Sequence, residues 1–281
     1  YPSDTPGPER RTLVIHPVPT KELQATYKTG VDAVRGQINR MRNVFRLRLG
    51  TRKYSENELV EGRLHRRRIG HAAVTDREFQ RKYTKVDRGI SICLLLDESG
   101  SMGHVYNLTA DGGNRAEVAL KVAILIAESL KKVPGVELEI YSYASCGTSD
   151  QDCLIKYLYG KCNPNTASIA GYREGAQNYD HMAIKTAGDL FVENTTNDNR
   201  LMIVLSDGAP CGYMYGGRAA NAATRKEVEK LEKRGIYVLN VAIESFASES
   251  MFKNVIRFLD LPDLTRRMRQ LITRIIKDAT G

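Results

Sequence analysis

The chain has 281 residues, 42% of them hydrophobic, with 42 Lys or Arg against 33 Asp or Glu for a net charge of +9. That length suits one large domain with an appendage and a substantial core. No run approaches the roughly 18 apolar residues of a membrane span, and no signal-peptide pattern opens the chain. The five cysteines, Cys93, Cys146, Cys153, Cys162 and Cys211, form no C-x-x-C pair. They read as reduced thiols rather than a zinc site or a disulfide framework, so a cytoplasmic location is expected and an extracellular adhesion module is disfavoured.

Residues 1–20 contain Pro2, Pro6, Pro8, Pro17 and Pro19 and read as an extended tail. Residues 21–88 read as a basic helical region, with a helix from Lys21 to Leu49 interrupted near Gly30, then a connector of short elements up to Arg88. Between Arg35 and Arg88 there are 16 Lys or Arg against 6 Asp or Glu. The excess charge of the chain therefore belongs to this segment. It includes Arg40, Arg42, Arg46 and Arg48 on the helix and then Arg66, Arg67 and Arg68. Such a strip suits nucleic acid, an acidic protein partner or plain solvation. The aromatics Phe45, Tyr54, Phe79 and Tyr83 are spread out, and no nucleic-acid-binding motif accompanies them.

From residue 89 to 281 strands and helices alternate. Strands are expected at Ile90 to Leu96, Val136 to Tyr143, Cys153 to Tyr159 near an edge, Leu201 to Leu205 and Ile236 to Ile243. Helices are expected at Arg115 to Lys132, Asp180 to Glu193, Thr224 to Arg234 and Pro262 to Lys277. The last is amphipathic through Leu264, Met268, Leu271, Ile272, Ile275 and Ile276. Alternation at these lengths implies βαβ units: an α/β fold with a mainly parallel sheet and helices on both faces. Two insertions, Ser145 to Arg173 and Cys211 to Ala223 with Tyr213 and Tyr215, are expected on the carboxyl-end face as candidate contact loops.

The densest chemistry lies at the end of the first strand. Ile90-Ser91-Ile92-Cys93-Leu94-Leu95-Leu96 is a charge-free run of a buried strand, and Asp97-Glu98-Ser99-Gly100-Ser101 follows with the spacing D-x-S-x-S. The carboxyl ends of strands in an open α/β sheet face the ligand crevice. One carboxylate and two hydroxyls there suit a hard divalent cation such as Mg2+, whereas a turn whose Ser and Asp merely cap the next helix is the plainer reading. A second apolar strand, Leu201 to Leu205, ends in Ser206-Asp207-Gly208-Ala209-Pro210. Asp180, before the Met182 to Val192 helical pattern, is either an N-cap or a third carboxylate of the same site.

These motifs resemble the metal-ion-dependent adhesion site of von Willebrand factor A domains. Together with Glu61-Gly62-Arg63-Leu64 and Asn178-Tyr179-Asp180 they resemble, more narrowly, the carboxyl-terminal region of the T subunit of aerobic cobaltochelatase. The likeness runs from about Glu61 to the C-terminus. It implies a Rossmann-like von Willebrand factor A domain whose metal residues are Asp97, Ser99, Ser101, Asp180 and Asp207, with Mg2+ as cofactor and Ca2+ or Mn2+ as alternatives. The family usually has glycine after that aspartate of the Asn-x-Asp segment, where this chain has His181, and the long acidic middle region of the chelatase subunit is missing here.

No catalytic residue is assigned, because metal-assisted hydrolysis needs a base and a second electrophile, and the chain has neither a G-x-S-x-G elbow nor a G-x-x-x-x-G-K-[ST] loop. The expected function is an adaptor in which the cation accepts an Asp or Glu from a partner protein. By resemblance that partner is a hexameric AAA+ ATPase of the chelatase S-subunit or MoxR type. A nucleic-acid-associated protein working through its basic arm is the alternative reading, and no membrane partner is expected.

Overall fold

The computed structural model describes residues 11–48, 51–59, 61, 63–64, 79–86, 89–104, 113–145, 152–175, 177–208, 210–212, 215–243 and 247–278. The Arg66, Arg67 and Arg68 triplet, Cys146, Tyr213 and residues 1–10 of the expected tail lie outside them. In chain order the main elements are β1 (Thr12–Ile15), α1 (Lys21–Arg48), β2 (Thr51–Leu59), β3 (Arg63–Leu64), β4 (Phe79–Val86), β5 (Ile90–Asp97), α2 (Arg115–Leu130), β6 (Val136–Ser145) and β7 (Cys153–Tyr159). There follow α3 (Asp180–Asn194), β8 (Arg200–Ser206), β9 (Cys211–Gly212), β10 (Tyr215–Gly216), α4 (Gly217–Lys233), β11 (Ile236–Ala242), β12 (Val255–Arg257) and α5 (Leu261–Asp278). Seven strands form one sheet in the order β1-β7-β6-β5-β8-β11-β12. The pairs from β6 through β12 are parallel, β7 runs antiparallel to β6, and β1 is parallel to β7.

Alternation along the central strand decides the layering. Ile90, Ile92, Leu94 and Leu96 of β5 join the core made with α1, α2 and α5, while Cys93 and Leu95 join the core made with α3 and α4. Since side chains alternate across a strand, Asp97 falls on the α3 and α4 side. β8 divides the same way, with Leu201, Ile203 and Leu205 on one face and Met202 and Val204 on the other. A mixed α/β fold with a mostly parallel sheet and helices on both faces is what the alternating pattern implied. Among the described residues no helix is long and apolar enough to cross a membrane.

Four expectations need correction. Thr12–Ile15, inside the supposed tail, is the edge strand β1, and Cys153–Tyr159 lies next to it, near the edge as expected. α1 runs unbroken through Gly30, which sits against Ile124 of α2; the missing side chain serves close helix packing rather than a break. Tyr27, Val34, Ile38, Met41 and Phe45 of α1 are buried in the main core, so this helix is part of the body of the fold and not an appendage to it. Finally, α4 begins at Gly217 rather than Thr224. The elements of the connector form a three-stranded sheet, β2-β4-β3.

Candidate functional site

The parallel arrangement of β5 and β8 brings their two terminal aspartates to one end of the sheet. Asp97 is the last residue of β5 and wholly buried. Asp207 follows β8 directly and is 5% exposed. Gly208 then turns the chain with φ +83°, a left-handed conformation that glycine adopts without penalty. Ser99 precedes the short 3-10 turn Gly100–Gly103, which contains Ser101, and the two hydroxyl oxygens are 2.9 Å apart. Asp180 is the first residue of α3, where the helix dipole favours a negative charge. The N-cap position is held by Tyr179, and the Asp180 side chain accepts a hydrogen bond from the Tyr143 hydroxyl at 2.9 Å. The N-cap reading of Asp180 is therefore replaced by a place in the acidic cluster.

The five residues singled out from sequence thus meet at the carboxyl ends of β5 and β8. Burial pushes the Asp97 carboxyl well above the usual range; the neighbouring Asp180 and Asp207 charges add to this, and the Ser99 N–H opposes it. Burial also raises Asp180, to about 7, with the Tyr143 hydroxyl opposing and Asp207 reinforcing. Three carboxylates in a low-dielectric setting repel one another unless positive charge joins them. Arg115, at the start of α2, supplies some: its guanidinium lies 3.0 Å from Asp207 Oδ2 and donates to the Ser101 carbonyl at 3.1 Å. The other oxygen, Asp207 Oδ1, is buried without a hydrogen-bond partner.

Further hydrogen bonds hold this cluster in place, several of them from residues with no expected role. The Ser99 N–H donates to Asp97 Oδ1 at 2.8 Å, and the Asn178 amide donates to Asp97 Oδ2 at 3.3 Å. The Tyr172 hydroxyl donates to the Asp97 carbonyl at 2.7 Å. Arg115, Tyr143 and Tyr172 stand 92, 37 and 75 positions from the partners they serve, so nothing local in the sequence marks them. Asn178 alone carried a signal, through its place two residues before Asp180. Glu98, adjacent to the motif, belongs elsewhere: it is buried against Lys156 Nζ at 2.5 Å and the Ser142 hydroxyl at 2.7 Å. His181 turns to Tyr215, with ring centroids 4.8 Å apart.

Among the described residues no group of three or more His, Cys, Asp or Glu side chains is placed as it stands to hold a metal ion. Asp97 commits both oxygens to protein donors, Asp180 commits one to Tyr143, and Asp207 commits one to Arg115.

Comparison with known proteins corrects the family assignment. No family model and no curated relative matches the chain. Among solved structures, the PilB minor pilin of Streptococcus sanguinis has a TM-score of 0.48 at 10% identity, covering 72% of this chain and 66% of that one. The SpaC pilus adhesin of Lactobacillus rhamnosus GG also has 0.48, at 16% identity, over 81% of this chain and 34% of that one. The three N-terminal domains of the type V pili tip protein Mfa5 of Porphyromonas gingivalis have 0.32 at 20% identity, over 47% and 22%. This chain spans about two thirds of the minor pilin and about one third of SpaC. No family model or curated relative supports the assignment to von Willebrand factor A domains and to the cobaltochelatase branch, which is withdrawn together with that family's ready-made adhesion site. At such identities and TM-scores, none of these pilus proteins assigns this chain a family or a function.

Proposed function

We propose that the acidic cluster binds one divalent cation, Mg2+ by preference with Ca2+ or Mn2+ as substitutes, and that the bound cation presents an open position to a carboxylate of a partner protein. The observation that carries this reading is the crowding of three buried carboxylates, Asp97, Asp180 and Asp207, against the single nearby guanidinium of Arg115, together with the buried, partnerless Asp207 Oδ1. A hard cation accepts oxygen donors and keeps several waters. Ser99 Oγ, Ser101 Oγ and Asp207 Oδ1 are the donors suited to direct contact. Asp97 and Asp180, already hydrogen-bonded, add charge through water or after a small rearrangement. Buried carboxylates repelling one another are costly without such a cation, which gives binding a driving force.

The function is then one of metal-dependent association rather than catalysis. The AAA+ ATPase partner followed from the family resemblance alone and now has no observation of its own. The basic-arm reading loses one of its arginines: Arg42 donates to the Glu128 and Ser129 carbonyls at the end of α2, which is structural work. A cytoplasmic setting is supported by the free thiols of Cys93, Cys153, Cys162 and Cys211. The test is thermal unfolding with Mg2+ against chelator, for the unaltered chain and for Ser99→Ala with Ser101→Ala. A Mg2+-dependent rise in Tm that the double variant loses supports the reading; an equal response in both, or no response in either, rejects it.

A further inference from the structure

We infer that Arg115 is a built-in counter-cation that competes with the divalent ion for Asp207, and so sets the affinity of the site; this inference rests on the cation-binding reading above. Its guanidinium takes Asp207 Oδ2 at 3.0 Å and the Ser101 carbonyl at 3.1 Å, and so bridges the two loops that would furnish the direct donors. The Arg115 side chain is 18% exposed and the Asp207 side chain 5%, so the pair is shielded from solvent, most of all on the aspartate side. An arginine cannot discharge its proton to make way for a metal ion. A cation arriving at Asp207 must therefore either tolerate a neighbouring positive charge or displace it.

Displacement has a structural consequence. Arg115 is the first residue of α2, and Asn114 caps that helix by accepting the Glu117 N–H at 2.8 Å. The start of α2 is therefore fixed, and the movement falls to the long arginine side chain alone.

The experiment is isothermal titration of Mg2+ into the full chain, into Arg115→Gln and into Arg115→Lys, with far-ultraviolet circular dichroism to verify folding. Removing a like charge a few ångströms from the ion should tighten binding roughly tenfold in Arg115→Gln, while lowering the Tm measured in chelator. Arg115→Lys keeps the charge and should bind within about twofold of the unaltered chain. Should Arg115→Gln not fold, the lysine variant decides alone: affinity retained together with the chelator Tm supports the charge account, and a large loss of affinity overturns it. Equal or weaker binding in a folded Arg115→Gln overturns the inference but leaves the cation site standing. Absence of binding in all three chains, Gln variant included, overturns both.

Discussion

Asn178 binds Asp97 across 81 positions of sequence: its side-chain amide donates to Asp97 Oδ2 at 3.3 Å, and its own carbonyl oxygen accepts the Cys211 N–H at 2.6 Å. The Asn178 N–H also donates to the Cys211 carbonyl at 2.9 Å. One fully buried side chain therefore ties the end of β5, the lead-in to α3 and the loop after β8 into a single unit. Asn178→Ala leaves the Cys211 N–H without this acceptor and Asp97 Oδ2 without this donor. The expected cost is about 1–3 kcal/mol, the usual penalty for stranding buried polar groups. Urea denaturation checks it; a change within about 0.5 kcal/mol, typical of a neutral surface substitution, would show that the three loops are held by other means.

Asp180 reports on the charge imbalance itself. Replacing it with asparagine keeps an oxygen able to accept from the Tyr143 hydroxyl and removes one of three repelling charges. In chelator near pH 8, Asp180→Asn should be more stable than the unaltered chain by on the order of 1 kcal/mol, while its stabilisation by Mg2+ shrinks. Functional sites commonly show this opposition between stability and binding. A destabilised Asp180→Asn with an intact Mg2+ response would contradict the picture of an electrostatically strained cluster.

Two glutamates two positions apart on β6 should give opposite pH slopes. Burial pushes Glu137 up, but donors from Ser91, Thr196 and Asn197 outweigh it and leave the carboxyl below its ordinary range. Glu139 is raised, chiefly by burial, despite accepting from the Lys161 N–H and the Tyr141 hydroxyl. A lowered folded-state pKa contributes stability above the unfolded value, near about 4.3, that is lost as pH falls. A raised one contributes stability below that value that is lost as pH rises. Relative to the unaltered chain, Glu137→Gln should therefore be worst near neutrality and improve toward pH 3. Glu139→Gln should be worst in acid and improve toward neutrality. Thermal unfolding across that range reads both slopes, and parallel slopes would refute the assignment.

Gly188 lets α3 approach α4. A Cβ there would stand 2.6 Å and 2.9 Å from the two methyl carbons of Leu231, which is itself buried. Helix propensity favours Gly188→Ala by about 1 kcal/mol, and overpacking of a filled core costs about 1–3 kcal/mol. The packing term should win, giving net destabilisation in chemical denaturation; a stabilised variant would mean that Leu231 has room to turn aside.

What could be read from the sequence follows from how local each signal is. The apolar runs Ile90–Leu96 and Leu201–Leu205 sit inside β5 and β8, and the aspartates that end them converge, because strand and turn are written in adjacent residues. β1 was hidden because Thr12–Ile15 is only four residues long among prolines and gains its strand character from pairing with β7. β2 and β4 pair residue by residue from Thr51 and Val86 onward, yet their polar sequences show no buried face to read. In the site, the donors of charge were legible as Asp and Ser in a fixed spacing. Arg115, which balances part of that charge, was not, since only the fold brings α2 to the end of β8.

The central claim is tested most directly by titrating Mg2+ calorimetrically into the full chain and into Asp207→Asn, whose partnerless oxygen is the donor best placed to receive the ion. The account predicts one binding event in the full chain, with affinity lost or reduced by at least roughly tenfold in the variant. Equal heats of binding in both chains, or none in the full chain, would contradict it.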